Sequence, residues 1–222
     1  MVLRLVLLLI CLALPQEGTT GPWLREKGST FTAVSIAGTY YLDTATQTYI
    51  EYGLTEKITI VADVSTARFL YAPPSGYATL SFRRALGAKD ATSKWAYEVG
   101  VGTGWIGEML LPHVRTALSW GRGVTWGKKS GWMTVEGAVV WDMTYALHVA
   151  KLDTTVGLNL TEKTKGMIQL YAMHAAGESI ATIAPSVVYS PENTKFSIQF
   201  GTESEIGRLY NSAVKISIWR EF

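Results

Sequence analysis

The chain has 222 residues, a net charge of +2 and a single cysteine. Both signs of charge are dispersed, which offers no basic stripe for nucleic acid, and one cysteine excludes an internal disulfide framework or a cysteine-based metal site. Hydrophobic residues make up 48 %, with 8 Trp and 11 Tyr. Beyond the first residues, however, no apolar run approaches the ~18 residues that a membrane helix needs.

In chain order, the first element is a short basic start (Arg4) followed by the apolar run Leu5 to Leu14. This run is too short to span a bilayer as a helix and reads as a secretion signal. Residues 1–20 are assigned to it, with cleavage anywhere from about 15 to about 20. Cys11 lies inside the run and is expected to leave with it. Residues 21–222 then form one domain, of ordinary single-domain size.

From Thr46 onward the pattern has a period of two. In Thr46 to Leu54 the residues Thr48, Ile50, Tyr52 and Leu54 share one face, and Gln47, Tyr49, Glu51 and Gly53 share the other. A tight turn at Thr55-Glu56-Lys57 leads into Ile58 to Val64, where Ile58, Ile60, Ala62 and Val64 alternate with Thr59 and Asp63. That is a hairpin signature. The same signature recurs from Gly157 to Met173 and from Pro185 to Phe200, where Phe196, Ile198 and Phe200 oppose Lys195, Ser197 and Gln199. Continued along the chain, alternation predicts about twelve strands, at 29–41, 45–54, 57–70, 76–86, 94–104, 112–125, 131–142, 146–160, 165–174, 179–190, 194–202 and 211–222; ten or fourteen are alternatives. The expected fold is all-β: a transmembrane antiparallel up-and-down β-barrel.

An even strand number puts both termini on the periplasmic side. The second-to-third, eighth-to-ninth and tenth-to-eleventh connections then fall on that side and read as tight. The longest outer connections are expected at Ile106 to Pro112 and Glu203 to Leu209. Trp95, Trp105, Trp126, Trp132, Trp141 and Trp219 lie near predicted strand ends and suggest an interfacial girdle.

A barrel in lipid is apolar outside and polar inside. Projecting the alternation inward gives Glu51, Asp63, Arg83, Lys94, Glu98, Arg115, Glu136, Lys151, Asp153, Lys195 and Lys215. Opposed charges of this kind suit a small porin-like channel for small polar solutes. The alternative is a closed structural or ligand-binding barrel whose side chains fill the interior, since diameter follows strand number. An outer-membrane lipid hydrolase would need a serine, a histidine and an orienting group within hydrogen-bond reach. His113 and Ser119 lie too far apart along one strand; His148 projects toward lipid and could meet a lipid substrate, but no partner for it is visible by spacing, so no catalytic residue and no enzyme activity is expected. No His/Asp/Glu cluster has ligand spacing, and Gly100 to Gly104 precede no helix, so neither a metal nor another cofactor is expected.

The last strand places Val214, Ile216, Ile218 and Phe222 on one face and Lys215, Ser217 and Glu221 on the other. On this ending, on the hairpin Tyr52-Gly53-Leu54-Thr55-Glu56-Lys57 and on Pro185 to Gly201, the chain resembles uncharacterised outer-membrane β-barrel proteins of Gram-negative bacteria, porin-like or transporter-like. The resemblance implies a place in the bacterial outer membrane among its lipids. It also implies a terminal strand, ending at Phe222, that the barrel assembly machinery reads. It brings no catalytic residues. Arg220 departs from the usual pattern, which carries an apolar residue there.

Overall fold

The computed structural model describes residues 21–222 apart from Lys89 and Ala146. The expected secretion signal, Cys11 included, lies outside the described residues. Twelve strands follow one another: β1 (Thr30–Thr39), β2 (Thr44–Thr55), β3 (Ile58–Arg68), β4 (Ser75–Leu86), β5 (Ser93–Ile106), β6 (Met109–Trp126), β7 (Lys129–Asp142), β8 (His148–Asn159), β9 (Thr164–Ala175), β10 (Glu178–Tyr189), β11 (Phe196–Glu205) and β12 (Arg208–Glu221). Each pairs antiparallel with its chain neighbours, and β1 pairs with β12 to close the barrel. At the seam Val34 stands opposite Ile218 and Ile36 opposite Ile216. Thr30 and Phe222 exchange backbone hydrogen bonds of 3.3 and 2.9 Å, completing the ladder at its last residue. Closure removes both sheet edges, so every strand finds its backbone partners without water.

Alternation decides the two surfaces. Val34, Ile36, Leu80, Phe82, Ile168, Phe200 and Ile216 all point outward and are exposed. Register joins them across strands: Ile36 pairs with Ile216, which pairs in turn with Phe200, itself opposite Val187. A contiguous apolar band of this kind is far larger than the patches a water-soluble surface carries, and it matches the lipid-facing wall of a membrane barrel.

Two hairpins differ from expectation. The segments read as the longest outer connections are two-residue turns, Gly107-Glu108 between β5 and β6 and Ile206-Gly207 between β11 and β12. Gly107 and Gly207 adopt φ of +58° and +88°, which a glycine takes without a Cβ clash, and the residues around them lengthen the strands. Tight turns therefore occur at both ends of the barrel. Glu56-Lys57 and Gly127-Lys128 lie at the end carrying the termini; Gly107-Glu108, Ala176-Gly177 and Ile206-Gly207 lie at the other. Turn length does not distinguish the two ends.

Candidate functional site

The inward residues of β2 to β7 build a continuous ladder of charge. The charged members come from separate strands, and register sets the neighbours side by side: Arg83 stands opposite Glu98, and Glu136 opposite Ser119. The Glu51 carboxylate accepts from Arg83 Nη1 at 2.5 Å and from the Tyr49 hydroxyl at 2.6 Å. Arg83 Nε donates to Glu98 Oε2 at 3.1 Å, and its Nη2 donates to the Tyr49 oxygen at 3.0 Å. Arg115 Nη1 donates to the other Glu98 oxygen at 2.5 Å, and its Nη2 donates to Glu136. Ser119 Oγ completes the series on Glu136 at 2.8 Å. Such a network offsets the desolvation of its charges only because each carboxylate and guanidinium is matched more than once.

The opposite wall is built mostly of uncharged polar groups. Gln199 Nε2 donates to Ser186 Oγ at 2.9 Å, and Gln169 Nε2 donates to Thr155 Oγ1 at 3.3 Å. Toward the termini, Phe31, Tyr49, Val61, Met167, Val188 and Trp219 form an apolar cluster inside the barrel, with Trp132 against it. Phe31 and Trp219 meet edge to face at 6.1 Å.

A third component is not part of the wall. Residues 21–25 cross the lumen at the termini end. A Cβ built on Gly121 of β6 would stand 2.7 Å from the Trp23 ring and 2.9 Å from Pro22, and one on Gly53 of β2 would stand 1.9 Å from the Glu26 carbonyl oxygen. Only glycine leaves room for the segment at these two places. Across the lumen, the Arg25 backbone N–H donates to Thr59 Oγ1 at 2.9 Å. The Arg25 guanidinium donates to Glu51 Oε2 at 2.5 Å and lies 4.5 Å over the Phe31 ring.

The result is a lumen filled in the half nearer the termini. Arg83 and Glu51 are 0 % exposed, and Gln169 and Gln199 on the facing wall are 1 % exposed. A water-filled bore would leave its lining wetted. In the other half lies a cavity of about 160 Å³. Ile106, Leu111, Tyr145, Leu147, Val149 and Met173 line it toward the far end, and Asp63, Glu98, Arg115 and Lys151 line it at depth. Asp63 is held by Gln47 Nε2 and by the Tyr77 hydroxyl, each at 2.8 Å. Lys151 faces the cavity with no ion pair or hydrogen bond among the described residues.

Of the residues projected inward from sequence, Glu51, Arg83, Glu98, Arg115 and Glu136 come together in the ladder, while Asp63 and Lys151 line the cavity. Asp153 stands opposite Glu136 on the next strand, one step deeper than Lys151. Lys215 pairs with Glu203 at 3.1 Å on the wall away from the ladder. Lys94 lies at the termini-side end of β5. Lys195 falls in the bend before β11 and is exposed, so it is a rim residue. The girdle expectation needs correction at two positions: Trp132 and Trp219 face the interior, whereas Trp95, Trp126 and Trp141 are exposed outward. The inward place of Trp219 follows from the alternation Lys215-Ser217-Trp219. Tyr49, Gln47, Gln199 and Glu203 were likewise legible by parity. Arg25 and Trp23 were not, since no periodicity marks their segment.

His113 faces inward and its Nε2 lies 3.0 Å from Thr79 Oγ1. His148 points outward against Trp141, with ring centroids 5.0 Å apart. His174 Nδ1 lies 2.8 Å from Ser179 Oγ, across the tight β9–β10 turn. No group orients His174 from its other nitrogen among the described residues, nor do three His, Cys, Asp or Glu side chains gather as for a metal ion there.

No protein-family model and no curated protein matches the sequence. Solved structures do match the fold. An outer-membrane channel from Pseudomonas putida F1 is similar over 94 % of this chain and 100 % of its own, at 12 % identity and a TM-score of 0.57. LpxR from Salmonella typhimurium is similar over 86 % of this chain and 99 % of its own, at 8 % identity and a TM-score of 0.57. The NanC porin is similar over 86 % and 97 %, at 11 % identity and a TM-score of 0.54. At such identities the likeness speaks for the fold and not for a shared activity. Closed twelve-strand topology, an apolar outer band and this likeness give the chain the fold of bacterial outer-membrane β-barrels.

Proposed function

We propose that this barrel holds a small amphiphilic molecule in its lumenal cavity, reached from the end opposite the termini, and that at rest it is not an open diffusion channel. The observation that carries this reading is the burial of inward side chains on all walls of the termini-side half, beside a cavity in the other half. Apolar walls with a few polar groups at depth are the usual lining of a small-molecule site. The ligand's apolar body lies against Leu111, Leu147 and Met173, and its polar group reaches Lys151, which makes no hydrogen bond or ion pair among the described residues and meets Asp63 and Asp153 only at longer range. In this reading the barrel does no covalent chemistry.

The test has two arms. The intact barrel in a planar bilayer is expected to pass no current; stepwise currents from the unaltered chain would overturn the reading. In vesicles of one lipid composition, N-phenyl-1-naphthylamine is expected to fluoresce more with the intact barrel than with Leu147→Trp, which fills the cavity. Equal fluorescence would remove the ligand site.

We also propose that assembly machinery reads β12. Its support is the place of Phe222 at the seam, where it pairs with Thr30 and leaves its ring exposed. Phe222→Asp is expected to lower the amount of heat-modifiable barrel in the membrane, and unchanged insertion would count against this partner.

A further inference from the structure

The segment at residues 21–25 is the one part of the seal that does not belong to the barrel wall, and its attachment is unusual. Arg25 binds Glu51, but Glu51 keeps Arg83 at 2.5 Å and Tyr49 at 2.6 Å without it. Withdrawing Arg25 therefore strands no buried carboxylate, which is the cost that normally makes a buried ion pair hard to break. Gly121 and Gly53 provide the room the segment occupies, and neither holds it by a side chain. The wall is shaped to receive the segment and remains paired when it leaves.

We propose that residues 21–25 form a withdrawable strap, and that withdrawal turns the sealed barrel into a conducting, cation-preferring path. The inference rests on the sealed-lumen reading above and adds an activity to it. The charge preference follows from what the strap takes with it. With Arg25 present, the ladder's carboxylates Glu51, Glu98 and Glu136 are matched in number by Arg25, Arg83 and Arg115. Without it, the ladder carries one carboxylate in excess, and Asp153 stands opposite Glu136 with the same sign. Lys215 is already matched by Glu203, and Lys94 and Lys165 stand near the termini-side strand ends, outside the ladder. A carboxylate excess in a constriction selects cations.

The experiment measures planar-bilayer current in a KCl gradient. Arg25→Glu/Trp23→Ser, which sets like charge against Glu51 and removes the ring at Gly121, is expected to give channel steps with a several-fold preference for K⁺ over Cl⁻. A second protein joins the strap to the wall. The Arg25 N–H lies 2.9 Å from Thr59 Oγ1, so Arg25→Cys/Thr59→Cys sets two thiols on facing positions of strap and wall. In the Trp23→Ser background, with Cys11→Ser, the oxidised form is expected to be silent and the reduced form to conduct. If the double variant retains heat-modifiable mobility and stays silent, or if oxidation leaves the current unchanged, the strap is not the gate. Anion preference overturns the charge assignment. Current from the unaltered chain overturns the sealed-lumen reading instead.

Discussion

The two halves of the lumen are built from the same alternating strands yet do opposite things with their inward residues. In the termini-side half, long side chains from separate strands reach one another: Glu51, Arg83, Glu98, Arg115 and Glu136 neutralise each other, and Phe31, Trp219 and the segment at residues 21–25 fill what remains. In the other half the inward residues include Ala67, Ser65 and Ser75, too short to meet across the barrel, and a cavity is left. Side-chain length at inward positions, rather than strand number, separates the sealed half from the open one.

The largest break in this comparison is expected from the ladder. Arg83→Ala takes from Glu51 and Glu98 the guanidinium they share, leaving them Arg25 with Tyr49 and Arg115, and is expected to cost about 3 kcal/mol through the lost charge-assisted hydrogen bonds. Urea unfolding in lipid vesicles, followed by the loss of heat-modifiable mobility, measures it. Next comes the outer wall: Ile216→Lys puts a charge in the lipid-facing band and is expected to cost about 2–4 kcal/mol near the bilayer midplane. By contrast Ser217→Ala, one residue along and inward, is expected to cost about 1 kcal/mol or less in the same assay, consistent with loss of one hydrogen bond. Equal effects at 216 and 217 would contradict the assignment of faces.

A smaller effect sharpens the cavity half. Lys151→Met is expected to weaken binding of an anionic amphiphile such as decanoate about tenfold, near 1.4 kcal/mol. Stability is expected to change little, since Lys151 has no ion pair to lose. Calorimetric titration in nanodiscs reads the affinity, and an unchanged value would move the ligand's polar group elsewhere. The smallest effect belongs to the rim. Glu192→Gln removes the exposed Lys163–Glu192 pair, 2.6 Å apart, and is expected to alter stability by less than about 1 kcal/mol.

Much of the barrel was legible because each strand carries its own evidence. Ile198 and Phe200 against Ser197 and Gln199 declare two faces within a few residues, and the predicted spans overlap all twelve strands. The misplacements fall where local pattern competes with turn chemistry. Gly107 and Gly207 sit in stretches where alternation lapses and which read as loops, yet they form two-residue turns and carry β6 back to Met109 and β12 back to Arg208. Trp132 and Trp219 were read by residue type, as interfacial aromatics, when their parity already pointed inward. Within the candidate site, parity gave the side of the wall for Glu51 and Arg83 but not their contact.

The sequence by itself determined a run of about twelve antiparallel strands, an apolar outer surface and a polar inner one, because a period of two is a local property that any short segment displays; the closed barrel set the count at twelve. Only the tertiary structure decided that the lumen is closed at one end. Whether Glu51 reaches Arg83, two strands away, depends on how far each strand is staggered against the next, and stagger leaves no mark on a single strand. The strap is the clearest case: residues 21–25 have no alternation to announce them, and their place is set by the gaps that Gly53 and Gly121 leave in the finished wall.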